Sequence, residues 1–151
     1  MQNGYFKSAQ GTIVRRSDPL ALDLNGGGLI STVSADELIM FDYNGNNVKQ
    51  ATGWIGKEDG LLVFDRNGDG IINDGSELFS EFTHSYGYRP GDLSGNPATP
   101  FYCRDAFQAL AQEDTNFDGV VNHLDTNWSK LQIWQDLNQD GISNLNILSH
   151  Y

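Results

Sequence analysis

The chain has 151 residues, 38% of them apolar and three of them Trp, enough for one domain with a modest core and too much for a wholly disordered segment. A formal charge of -11 argues against nucleic acid or an anionic membrane surface as partner and favours cations. No apolar run approaches the roughly 20 residues of a membrane span.

In chain order, residues 1–17 carry Lys7, Arg15 and Arg16 and no acid. They read as a flexible leader ahead of a unit over 18–151, and the opening MQNGYFKSAQGT lacks the apolar stretch of a secretory signal peptide, so export would need another signal. Asp18-Pro19 follows; taken alone, that dipeptide is ordinary turn chemistry. Short apolar runs then alternate with acidic Gly/Asn loops: PLAL before Asp23, ELIMF before Asp42, GLLVF before Asp65 and KLQIWQ before Asp136. They read as strands feeding loops.

The convincing helix is RDAFQALAQE, 104–113, in which Ala106, Phe107, Leu110 and Ala111 share a face, with Phe107 and Leu110 expected to pack on the strands. The stretch 84–102, HSYGYRPGDLSGNPATPFY, reads as a long ordered loop. Trp54 and Trp134 are expected in the core or sealing loop edges. Cys103, the lone cysteine, reads as a small buried hydrophobe, and His84, His123 and His150 as surface or loop residues. The fold expected is α+β: a single compact domain of short strands and one main helix, organised around EF-hand-like calcium loops.

Those loops rest on a repeated D-x-N-x-D-G: DRNGDG at Asp65, DTNFDG at Asp114 and DLNQDG at Asp136. Calcium takes six to eight oxygens, which an EF-hand-type loop supplies from positions 1, 3 and 5, the carbonyl at 7, often a water at 9 and an acid at 12, with Gly at 6 for the turn. The loop at 114 meets the full pattern through Asp114, Asn116, Asp118, Gly119, the Val120 carbonyl, Asn122 and Asp125. The loop at 65 offers Asp65, Asn67, Asp69 and the Ile71 carbonyl, but its acid, Glu77, falls one residue late. The loop at 136 offers Asp136, Asn138, Asp140 and the Ile142 carbonyl without a closing acid. Two reduced copies add Asp42, Asn44 and Asn46, and Asp23 with Asn25.

Such loops also occur as ion-free Asx turns. Repetition favours an ion, because nine of the fifteen Asp fall within the five loops and would repel one another without a counter-ion. Magnesium suits them less, since it prefers rigid octahedral sites that keep water, and one Cys with scattered His provides no zinc set.

The order of segments DPLALDLNGGG, MFDYNGN, ATGWI, EDGLLVFDRNGDGIINDGSELF, FQALAQEDTNFDGVVN and LQIWQDLNQDGIS resembles the calcium-dependent self-processing module of RTX proteins of the FrpC type, over about residues 18–144. The resemblance implies that calcium folds the module and triggers cleavage of the Asp-Pro bond at its N-terminal edge, which maps onto Asp18 and Pro19. The new C-terminal Asp is then open to an isopeptide bond with a Lys-bearing acceptor protein, in a single-turnover reaction of a secreted, extracellular protein. The chain departs from the family in its first loop, DLNGGG in place of a fuller acidic loop, in the missing closing acid of its last loop, and in ending some tens of residues sooner. The alternative function is a calcium-binding folding or interaction module with no processing activity.

The residues themselves permit the chemistry. The Asp18 carboxylate would attack its own main-chain carbonyl to close a five-membered anhydride and expel the next nitrogen. Succinimide formation, the usual competitor, is blocked because Pro19 has no N–H. The chain's own lysines, Lys7, Lys49, Lys57 and Lys130, read as solvated surface charges. No Ser-His-Asp or Cys-His set carries a spacing signal.

Overall fold

The computed structural model describes residues 5–7, 13–15, 19–33, 37–85, 101–103, 105–143 and 148–150. At its centre is the five-residue run GLLVF, which forms strand β8, Gly60–Phe64, buried at every position. Successive side chains on a strand point to opposite faces. Leu61 and Val63 therefore enter one apolar cluster, with Phe41, Trp54, Ile72, Leu78 and Trp134, while Leu62 and Phe64 enter a second, with Phe79, Cys103, Ala109 and Leu131. One strand thus divides the interior into two cores.

Strand β8 pairs antiparallel on one side with β3, Ala21–Leu22, and on the other with β11, Leu131–Trp134, which in turn pairs with β12, Leu148–His150. The sheet order is β12-β11-β8-β3. Two-residue ladders surround it: β4, Thr32–Val33, with β7, Trp54–Ile55, and β5, Met40–Phe41, with β6, Gln50–Ala51. A further ladder joins β9, His84–Ser85, to β10, Phe101–Tyr102, at the ends of the expected long loop, whose residues 86–100 lie outside the described residues. Each of the four apolar runs thus holds a strand that leads into its loop. Within the stretch expected as a leader, β1, Tyr5–Lys7, pairs with β2, Ile13–Arg15, a ladder that the expectation does not contain. Their aromatic and β-branched residues favour that conformation.

Trp54 and Trp134 lie in the first core, stacked edge to face with centroids 5.4 Å apart. Cys103 is buried in the second. The helix α1 is shorter than expected, Ala106–Ala111, because the Asp105 side chain caps it by accepting from the Gln108 amide at 2.8 Å and the chain turns at Gln112. Its inner face also differs from the expectation. Ala106 and Ala109 are buried and Leu110 packs against the second core, whereas Phe107 is 73% exposed. Ala109, fully buried in the second core with Cys103 and Phe79, is small enough to allow close packing there.

Candidate calcium site: five loops of one design

Five acidic loops share one backbone pattern, here numbered from the first Asp of each. The side chain of position 1 accepts the amides of positions 5 and 6: Asp23 from Gly27 and Gly28, Asp42 from Asn46 and Asn47, Asp65 from Asp69 and Gly70, Asp114 from Asp118 and Gly119, and Asp136 from Asp140 and Gly141. Positions 4 and 6 have positive φ in all five, through Gly26 and Gly28, Gly45 and Asn47, Gly68 and Gly70, Phe117 and Gly119, and Gln139 and Gly141. Two left-handed residues, separated by one position, curl the chain so that its amides converge on one carboxylate. The reduced copies at 23 and 42 hold the same curl as the fuller ones.

The oxygens at position 3 continue the pattern, with Asn25, Asn44, Asn67 and Asn116 each accepting the amide two residues on. In the last loop Asn138 instead donates to Asp140 at 2.8 Å. At position 5, Asn46, Asp69, Asp118 and Asp140 accept from position 7. The position 7 side chains of Ile71, Val120 and Ile142 are exposed.

Closure differs between loops. Asp125 accepts the amides of Thr115 at 2.7 Å and Asn116 at 3.4 Å on one oxygen and that of Asn122 at 2.7 Å on the other. Led by the Asn122 amide, these bonds hold its carboxyl below the usual range. Glu77, one residue later in its loop, makes the same three bonds: Arg66 at 3.1 Å and Asn67 at 3.5 Å on Oε1, Asn73 at 2.7 Å on Oε2. Its additional methylene spans the additional residue. Burial pushes the Glu77 carboxyl up, despite those amides. The Asn73 side-chain amide also donates to Asp69 at 2.8 Å and is the main cause of a lowered carboxyl there.

The loops are joined to one another through the body of the protein. Arg66 in the loop at 65 meets Glu113, the residue before Asp114, at 3.6 Å, and its guanidinium lies over the Phe64 ring at 4.6 Å. Asp136 is buried and accepts the Trp54 indole N–H at 2.7 Å. Asp59, a buried residue outside every loop pattern in the sequence, accepts the Leu24 amide at 3.2 Å and both the amide and hydroxyl of Ser31, at 2.8 and 2.9 Å. No local pattern marks it, because its partners lie in another segment.

Among the described residues no group of three or more His, Cys, Asp or Glu side chains gathers as a metal cluster. The donor set of each loop is instead mixed, carboxylate, Asn amide and main-chain carbonyl, all oxygen and without thiolate or imidazole, which fits the chemistry of calcium. Of the two residues mapped to cleavage, Asp18 lies outside the described residues. Pro19 is half-buried and lines a largely apolar cavity of about 410 Å³ with Phe41, Trp54 and Leu78, and the next residue is fixed to the fold by a hydrogen bond from the Leu20 amide to the Phe79 carbonyl at 2.8 Å.

Residues 20–150 match the SPM domain, and the chain belongs to that family. It is 43% identical over 133 residues to the iron-regulated protein FrpA of Neisseria meningitidis serogroup C, an alignment covering 87% of this chain and 11% of FrpA. The chain therefore spans a small part of the length of that relative. Both matches fit the FrpC-type resemblance drawn from the sequence.

Proposed function

We propose that the chain is a calcium-responsive self-processing module that cleaves its own Asp18-Pro19 bond once. The observation that supports this most is the shared curl of five oxygen-lined loops, the first of which follows directly on the strand that begins two residues after Pro19. Asp114, Asn116, Asp118, the Val120 carbonyl and Asp125 would hold one ion, and Asp65, Asn67, Asp69, the Ile71 carbonyl and Glu77 another; the loops at 23, 42 and 136 offer fewer closing acids. Bound calcium would supply positive charge that offsets the crowded carboxylates and so favours the folded chain.

The protein's own groups carry the reaction. The Asp18 carboxylate adds to its main-chain carbonyl carbon, the bond from that carbon to the Pro19 nitrogen breaks, and the nitrogen leaves as an amine after taking a proton from water. The product is a cyclic anhydride at Asp18. Water opens it to a free C-terminal Asp, or a Lys amine of an acceptor protein opens it to an isopeptide bond with loss of a proton. Alignment of an intramolecular carboxylate carries effective molarities of about 10⁵ to 10⁸ M, so holding Pro19 against a fixed fold is where the acceleration arises. Extracellular calcium modules bind with dissociation constants of roughly 10⁻⁴ to 10⁻³ M. Such affinity suits a secreted protein that stays loose in calcium-poor cytosol and folds outside. No helix among the described residues is long and apolar enough to cross a membrane.

Calcium is added to the purified chain and intact mass followed over time. The expected result is two fragments, 1–18 and 19–151, absent for Asp18→Asn. A chain that stays intact at saturating calcium overturns self-processing. It leaves calcium binding without cleavage, a reading favoured by a first loop whose single carboxylate is Asp23.

A further inference from the structure

The first loop has no closing acid of its own: position 12 is Ser34. In the loops at 65 and 114 that acid takes the amides of positions 2 and 3 on one oxygen and of position 9 on the other. For the loop at 23 those positions are Leu24, Asn25 and Ser31. Asp59 receives the Leu24 amide on Oδ1 and the Ser31 amide on Oδ2, together with a backbone hydrogen bond from Asn25. The three donors match one for one, although Asp59 lies 35 residues from Leu24 in the chain.

Strand register explains how a distant residue arrives there. Leu22 of β3 faces Gly60 of β8, so one step beyond the antiparallel pair brings Asp23 opposite Asp59. The turn presenting Asp59 is itself tied to the loop, since the Gly56 amide donates to the Ser31 carbonyl at 2.7 Å and the Asp59 amide to the Gly56 carbonyl at 3.2 Å. A Cβ on Gly56 would stand 2.1 Å from the Ser31 hydroxyl oxygen, so that approach requires glycine.

The geometry points to Asp59 as a positioning residue: it closes the first loop from outside, fixing the backbone that carries Asp23 and follows Pro19. Its structural content stands alone, while its effect on cleavage rests on the self-processing reading. The role gives DLNGGG, with one carboxylate of its own, the closing acid that its segment lacks.

The test compares the full chain with Asp59→Asn and Asp59→Glu by amide hydrogen exchange and by mass after calcium addition. Asn keeps the shape but replaces one acceptor oxygen with a donor. Exchange at Leu24, Asn25 and Ser31 should quicken by about tenfold or more on loss of charge-assisted bonds, with Thr115, Asn116 and Asn122 unchanged. Release of 1–18 should slow by a similar factor, while the calcium concentration that orders the loop at 114 stays the same. A merely stabilising role would instead loosen both loops together. Asp59→Glu should recover protection in part, as Glu77 serves its own loop with the longer side chain. If Asp59→Asn does not fold, Ser31→Ala, which deletes the 2.9 Å hydroxyl bond, should still quicken exchange at Leu24 and Asn25. Unchanged exchange in the folded variant overturns the role of Asp59. Cleavage at the original rate despite lost protection overturns its link to the reaction. An original chain that does not cleave at saturating calcium defeats the self-processing reading, and the exchange comparison still decides the role of Asp59.

Discussion

The indole N–H of Trp54 donates to Oδ2 of Asp136 at 2.7 Å, joining residues 82 apart in the chain and fixing the last loop to the aromatic core. Asp136 also takes the amides of Gly141 at 2.9 Å and Asp140 at 3.3 Å, so the same carboxylate curls its loop and docks it. Trp54→Phe keeps a ring against Phe41 and Trp134 but removes the donor. Denaturant unfolding in chelator should show a loss of about 1.5–3 kcal/mol, the usual worth of a hydrogen bond to a charged group, at unchanged m-value. A loss under about 0.5 kcal/mol, the ordinary scale of a neutral substitution, would show that the bond does not hold the loop.

Glu77 and Asp125 hold equivalent places in their loops but should respond oppositely to pH in chelator. Amide bonds lower the Asp125 pKa below its ordinary 3.8, so its stabilisation is full above that value and is lost as pH falls toward the folded pKa. Asp125→Asn should therefore cost most at neutral pH and progressively less in acid. Burial raises the Glu77 pKa above 4.5, so its contribution is full below that value and declines as pH rises through the folded pKa. Glu77→Gln should gain on the original chain as pH rises. Thermal unfolding from pH 3 to 7 reads both trends, and parallel trends would contradict the assignment.

Arg66 and Glu113 should couple the loops at 65 and 114. Glu113 is 1% exposed and takes a second bond from Asn127 at 2.9 Å, so losing the guanidinium leaves a buried charge short of a partner. Arg66→Met should cost about 1–3 kcal/mol, less than a fully buried pair, because Arg66 is 17% exposed and stands 3.6 Å from Glu113. The double variant with Glu113→Gln should cost less than the sum of the singles, by about 0.5–3 kcal/mol. Strict additivity in a double-mutant cycle would remove the link.

Helix α1 should tolerate change at Phe107 and resist it at Ala109. Phe107→Ser belongs to the surface class that shifts stability by at most about 0.5 kcal/mol. Ala109→Leu forces bulk against Cys103 and Phe79 and should cost about 1–3 kcal/mol. Circular dichroism melts of the two variants check the face, and the reverse order would restore the Phe107 packing.

The contrast shows where sequence periodicity stops being informative. Residues 106, 107, 109 and 110 satisfy helical spacing on either of two overlapping faces, and hydropathy favours the one with Phe107. The observed face is set by what it must fit, a close approach beside Cys103 that small side chains allow. Asp-rich loops were legible because their oxygens repeat locally, GLLVF because its apolar run is continuous, and KLQIWQ because Leu131 and Ile133 alternate with Gln132. The strands β4, β6 and β7 have two residues each, too few to show alternation. Asp59 was illegible for a different reason: its partners come to it through pairing of β3 with β8, a relation no local pattern contains. Glu77 was read as late by one residue, and side-chain length absorbs the offset.

Strand β8 acts as a reading frame. Its five residues lie between Asp59 and Asp65, so one end adjoins the acid that grips the first loop and the other adjoins the acid that begins the loop at 65. Inserting or deleting a single residue would exchange the faces of Leu61 and Leu62, send each into the wrong core, and turn one of those two acids away from its loop. Substitutions along the strand are graded in their effect, but its length is all or none.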